Sequence, residues 1–195
     1  MRRALKRWTA AVVAVVALSG GLAASAADRH GVPSSAALSV SEVDALARMA
    51  QNHLQTRASM VTAEHPPLES LRRSSLAAAT PSMADRAQDD FTKLVAMGEA
   101  YEDLDGGYTK AVVDVSVVDS SVDGDTATLR VTEDTRLHHP FTAAEVAEGA
   151  PEFEELSLPH TMKFIRGARG GWLLASDVAD VGVGPTPSTQ LEAAQ

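Results

Sequence analysis

Three aspartates crowd one glycine in the stretch DSSVDGDTATLR, residues 119–130, and oxygen ligands at that density suggest a calcium loop. On the EF-hand template Asp119, Ser121, Asp123 and Gly124 take the first, third, fifth and sixth positions. The twelfth position, which must supply a bidentate glutamate, is Arg130. The flanks also alternate in hydrophobicity with period two where an EF-hand needs helices. Asp123-Gly124 between two such runs predicts a β-hairpin, because that dipeptide tolerates the positive φ angles of the turn. Calcium chemistry is therefore rejected.

The stronger pair is Glu133 and His160. If each lies in a strand of the phase described below, both project onto the otherwise apolar face. Glu133 would then orient His160, and the imidazole would serve as a general base in a pocket. The structural alternative is that the two satisfy each other's hydrogen bonds, since a buried polar group without a partner costs several kcal/mol. Trp172 follows a turn and opens a strand, where a large aromatic plugs the core or lines a pocket. His138 and His139 are consecutive on a strand and should point to opposite faces, so they cannot grip one ion. A site joining His138 to His160 or Asp177 would need a particular strand register. No metal or cofactor is expected. The chain has no cysteine nucleophile, no Gly-x-Ser-x-Gly elbow and no glycine-rich phosphate loop.

The elements that must position these residues are legible in the spacing. Ser39-Val40-Ser41-Glu42 matches a capping box. Val40, Val43, Ala47, Ala50, Leu54, Ala58 and Val61 then recur at steps of three and four, which predicts one apolar stripe along a helix ending before His65-Pro66-Pro67. Residues 68–80 allow a further helical turn. A second long helix starts near Pro81, with the stripe Ala84, Ala87, Phe91, Leu94, Gly98 and Tyr101. After Asp105-Gly106-Gly107 the period falls to two. Ala111, Val113, Val115 and Val117 predict one strand, and Ala127, Leu129, Val131, Thr135 and Leu137 the next. Leu156, Leu158, Met162 and Phe164 mark a third, and Trp172 to Val178 a fourth. The short turns make sequential neighbours antiparallel. Thr142 and Glu145 form a second capping-box match within the acidic connection 140–155.

Composition narrows the class of function. Residues 1–26 carry Arg2, Arg3, Lys6 and Arg7, then an apolar run from Trp8 to Leu18, then Ala24-Ser25-Ala26. This is the layout of a signal peptide cleaved before Ala27, compatible with general or twin-arginine export. Removing its four cations leaves thirteen Lys and Arg against 26 Asp and Glu, a net charge of −13. Nucleic acid and anionic membrane surfaces are poor partners for such a chain. With no cysteine there is no lipidated N-terminal Cys and no disulfide framework. The expected layout is a leader over 1–26, a flexible segment over 27–38, one α+β domain over 39–181, and a disordered tail or linker stub over 182–195.

YTKAVVDVSVVDSSVDGDTATLRVTEDTRLHH (108–139) followed by HTMKFIRGARGGWLLASD (160–177) resembles the N-terminal module of secreted bacterial proteins that carry a C-terminal amidase domain. That module is similar to the nuclear-transport-factor-2-like, or SnoaL-like, fold. The resemblance covers residues 40–180 and implies N-terminal helices packed on a curved, four-stranded antiparallel sheet, cone-like in shape. In such relatives a catalytic domain follows the linker, whereas this sequence ends at Gln195. The expectation is a secreted or wall-associated module that binds a small molecule or a cell-envelope partner without catalysis. The alternatives are a small SnoaL-like isomerase or hydrolase using Glu133 and His160, and a shortened relative of the amidase proteins.

Overall fold

A computed structural model describes residues 37–74, 76–182 and 186–191. The leader and most of the segment expected to be flexible lie outside the described residues. Three helices precede the sheet: α1 (Val40–Ser59), α2 (Leu68–Arg73) and α3 (Pro81–Asp105), with a 3-10 turn over Leu76–Ala78 between the last two. The strands are β1 (Lys110–Asp123), β2 (Thr126–His138), β3 (Phe153–Arg166) and β4 (Trp172–Ala179), and a short α4 (Ala143–Ala147) joins β2 to β3. The sheet order is β1-β2-β3-β4, antiparallel throughout and not closed. This is an α+β fold whose layout is consistent with the cone that the resemblance implies. No helix among the described residues is long and apolar enough to cross a membrane.

Local chemistry sets the element ends. The Ser39 hydroxyl accepts from the Glu42 amide while the Glu42 carboxylate accepts from the Ser39 amide, a complete capping box on α1. Arg166 at the end of β3 donates to the other Glu42 oxygen at 2.8 Å, which ties the helix start to the sheet. Thr80 caps α3 and Pro81 opens it. Gly106 ends it at φ 86°, a left-handed conformation that favours glycine. Thr142 and Glu145 form the second capping box, on α4. Gly124 turns the β1–β2 hairpin at φ 55°.

The core lies between the helices and one face of the sheet. It holds Leu46, Leu54, Phe91 and Leu94 from the helices against Leu129, Val131, Met162 and Phe164 from the strands. The stripe of α1 differs from the sequence expectation. Val40 is 79% exposed, and the buried positions are Leu46, Ala50, His53, Leu54 and Ala58. Val40 is the first residue of the helix, ahead of its first buried position, Leu46.

Two glutamines fasten α1 to edge strand β1. Gln55 donates through Nε2 to the Ala111 carbonyl and accepts the Val113 amide on Oε1, both at 3.0 Å. Gln51 donates to the Val113 carbonyl. These amides continue the ladder that an edge strand otherwise leaves open. The stretch expected as tail also departs from expectation at 186–191. Arg57 donates to the Thr189 carbonyl at 3.0 Å, Ser188 lies 3.3 Å from the Tyr108 hydroxyl, and Leu191 packs against the core. A turn closed by the Gln190 amide on the Pro187 carbonyl brings these groups in.

Gly98 on α3 faces the backbone of Val61, where an added Cβ would stand 2.9 Å from three main-chain atoms. A helical Gly→Ala change ordinarily gains about 1 kcal/mol. Here the clash is with backbone rather than with a side chain that can swing away, and overpacking costs about 1–3 kcal/mol. Gly98→Ala should therefore lower stability in urea denaturation; a more stable variant would show that the helices are not in this contact.

Candidate functional site

Five side chains from four elements form one buried polar chain across the sheet and into α1. Thr135 on β2 donates to Glu133 Oε1 at 2.6 Å. Glu133 Oε2 lies 2.8 Å from His160 Nε2, and His160 Nδ1 lies 2.7 Å from Asp177 Oδ1. Asp177 Oδ2 lies 3.4 Å from His53 Nε2 on α1. That last contact is an ion-pair distance without hydrogen-bond geometry, and His53 Nε2 has no other partner. The side chains of Glu133, His160, Asp177 and His53 are 1%, 0%, 4% and 7% exposed.

Strand register makes the meeting possible. His160 pairs with Val131 on β2 and Ala179 on β4. Glu133 and Asp177 are thus its diagonal neighbours, two residues off on either side, within reach of long side chains. Asp177 faces inward because of an irregularity in β4. Phe164 pairs with Leu174 but Lys163 pairs with Ser176, so Ala175 is an extra residue. The bulge reverses the alternation, so Leu174 and Asp177 both face the core while Val178 is 61% exposed.

The protonation state follows from the geometry. Both ring nitrogens of His160 face carboxylate oxygens, so both donate and the ring is an imidazolium. Burial alone would lower its pKa, but the hydrogen bonds to Asp177 and Glu133 outweigh it and raise the value from 6.5 to about 9. Burial would likewise raise the pKa of Asp177, and the hydrogen bond from His160 with the neighbouring His53 holds it well below the ordinary carboxylate range.

The chain of side chains reaches solvent at one end. His53 lines an open groove of about 320 Å3 together with Asn52 and Thr56 of α1, Ser74, Ala78 and Leu174 of β4. The Thr80 amide bonds the Leu174 carbonyl at 2.8 Å, which fixes the wall of the groove to β4.

The sequence candidates separate accordingly. Glu133 and His160 come together on the inner face, but they are sealed beneath α1 and do not line this groove, in contrast to the expected pocket. Trp172 does not join them. It pairs with Arg166, six residues along β3 from His160 and thus about 20 Å away. The Arg166 guanidinium stacks over its ring at 4.2 Å. His138 and His139 both line a groove near Phe141, and their rings meet different partners, His138 against Phe153 and His139 against Tyr108 and Phe141. No cluster of three or more metal-ligating side chains occurs among the described residues. Sequence reasoning missed His53 as a site residue and considered Asp177 only beside His138. The signal for His53 was its place three residues after Ala50, on the buried face of α1.

No family model matches the chain, and no characterised protein matches it in sequence. Solved structures resemble it in layout. The iota-carbonic anhydrase from a cyanobacterium, complexed with bicarbonate, is 14% identical over 76% of this chain and 94% of its own, with a TM-score of 0.45. The intermembrane space region of the chloroplast protein ARC6 is 15% identical over 68% of this chain and 95% of its own, at 0.34. An Ntf2-like protein involved in plasmid conjugation is 10% identical over 73% of this chain and 50% of its own, at 0.34. None of these likenesses bears on the site.

The raised pKa of His160 gives stability that is fully present below its unfolded value of 6.5 and is lost as pH rises through about 9. The depressed pKa of Asp177 gives stability present above 3.8 and lost as pH falls below it. Unfolding free energies from urea titrations should therefore be highest between pH 3.8 and 6.5 and fall by up to about 3 kcal/mol toward pH 9. His160→Leu strands two buried carboxylates, so it should cost about 3–5 kcal/mol near neutrality and abolish the alkaline decline. An unchanged slope in that variant would assign the titration elsewhere.

Proposed function

We propose that this chain is an exported NTF2-like binding module of the cell surface, which holds a small molecule or a cell-envelope partner without transforming it. One observation carries the reading: the His160–Glu133 pair is sealed, and its ring nitrogens and carboxylate oxygens are already bonded within the network. A general base must reach the proton it abstracts, directly or through one water. A saturated imidazolium beneath a helix has no lone pair to offer. Among the described residues the groove beside it is open, with polar Asn52, Thr56 and Ser74 and apolar Met49, Ala78 and Leu174 in its lining, a mixture suited to recognition.

The leader-like residues 1–26 support export, and the acidic charge of the remainder supports a free or wall-associated location over attachment to anionic lipid. The finer kinship, with the N-terminal modules of secreted amidase-domain proteins, belongs to this proposal and rests on the sequence stretches 108–139 and 160–177.

A second reading is favoured by one feature. His53 lines the groove with the Asp177 carboxylate behind it, an arrangement that in a SnoaL-like isomerase or hydrolase would make His53, and not His160, the proton acceptor. A thermal-shift screen of small molecules on the full chain, followed by NMR of each hit after prolonged incubation, separates the two. A ligand that binds only the folded form raises Tm, by the equivalent of about 2.7 kcal/mol at a hundredfold excess over Kd. A binding module returns the hit unchanged. Conversion that disappears in His53→Gln would replace this reading with the enzymatic one.

A further inference from the structure

We infer that the groove beside Phe141 binds a free amino acid with an apolar side chain, its carboxylate held by Lys110, its ammonium by Glu152 and its side chain on the Phe141 ring. This rests on the binding reading above and adds a site apart from the groove beside His53. The groove has a volume of about 460 Å3, within the usual range for small-molecule sites, and Lys110, His138, His139, Phe141, Val146 and Glu152 line it. Phe141 is 39% exposed, yet its ring is held by a row of others. It meets the His139 ring at 5.6 Å, His139 meets Tyr108 at 5.4 Å, and Tyr108 meets Tyr101 edge-on at 5.9 Å. The His139 amide bonds the Glu152 carbonyl at 3.1 Å, and the Thr142 capping box starts α4 directly after Phe141. A large ring fixed at the surface in this way is a preformed stacking face.

The charges in the lining decide the ligand class. Lys110 and His138 are directly opposed on β1 and β2, and His138 is opposed on β3 by Phe153, the residue after Glu152. The backbones that carry the ammonium and the carboxylate thus stand two strand spacings apart, about 10 Å. Among the described residues neither side chain is in an ion pair. A ligand of either single charge would match one of these groups and meet like charge at the other. An amino acid bridges them, because its adjacent carboxylate and ammonium can each form a charge-assisted hydrogen bond of about 2.8 Å. The molecule is also neutral as a whole, so the field of a chain with net charge −9 does not repel it. Its side chain then falls on Phe141, with Ala143 and Val146 supplying further apolar surface.

The test uses three probes built on one phenyl ring: L-phenylalanine, 3-phenylpropionate, which lacks the amine, and phenethylamine, which lacks the carboxylate. Each is titrated into the full chain while the backbone amides of residues 109–110, 138–139 and 141–146 are followed by 1H–15N NMR. L-Phenylalanine should shift these amides saturably, and each singly charged probe should bind at least about threefold more weakly. Lys110→Gln should bring L-phenylalanine down to the level of phenethylamine without weakening phenethylamine itself. Glu152→Gln should bring it down to 3-phenylpropionate without weakening that probe, and Phe141→Ala should weaken all three. The three replaced side chains are exposed, so the circular dichroism spectra should stay the same. Absence of saturable shifts at the groove, equal affinity for the three probes, or weaker phenethylamine binding in Lys110→Gln would each overturn the inference, with the binding reading left to the other groove. New NMR signals from converted L-phenylalanine would defeat that reading and leave the site assigned.

Discussion

The structure depends on an imidazolium held between two carboxylates beneath a helix. His160 contacts Glu133 and Asp177 at 2.8 and 2.7 Å with less than a twentieth of any of the three side chains exposed. Taking such charges out of water costs several kcal/mol per ion and is offset only when geometry and remaining hydrogen bonds are good. Thr135 completes Glu133, and His53 stands at the free oxygen of Asp177. The arrangement fixes register: a slip of one residue in β2, β3 or β4 would turn one member to the solvent face and leave a charge buried alone. What the network adds is uniqueness of pairing more than raw stability.

The helices serve the same constraint. Gln51 and Gln55 clasp the β1 backbone, and Arg166 holds the start of α1 through Glu42, so the helix is tied to the sheet at both its N-terminal turn and its middle. His53 lies between Gln51 and Gln55 in sequence and projects toward β4, while the glutamines reach β1. The close approach of α3 at Gly98 braces the turn that follows α1. The groove thus lies along a fastened helix, with Leu174 of β4, whose carbonyl accepts the Thr80 amide, in its lining.

Much of this was legible in the residues. The change of period near Gly106, the hairpin at Asp123-Gly124 and the capping boxes at Ser39 and Thr142 carry their own physical cause in a few adjacent side chains, and the structure contains each of them. The inward phase of Glu133 and His160 also followed from alternation. Asp177 did not, because the bulge at Ala175 inverts the phase of β4 and no glycine or turn residue announces it. His53 was hidden by a helix rich in alanine, whose apolar stripe is broad enough to be drawn from Val40 or from Leu46. Ser188, Thr189 and Leu191 look like tail by composition, and only long-range contacts with Arg57 and Tyr108 hold them.

The central claim is the charge state of His160, and ring 15N NMR reads it directly. The nitrogen shifts of His160 at pH 7 should be those of an imidazolium with both nitrogens protonated, and should persist until the pH nears about 9. A neutral tautomer at pH 7, with one nitrogen bare, would mean that a carboxylate holds the proton and that the buried network is not the ionic clamp described.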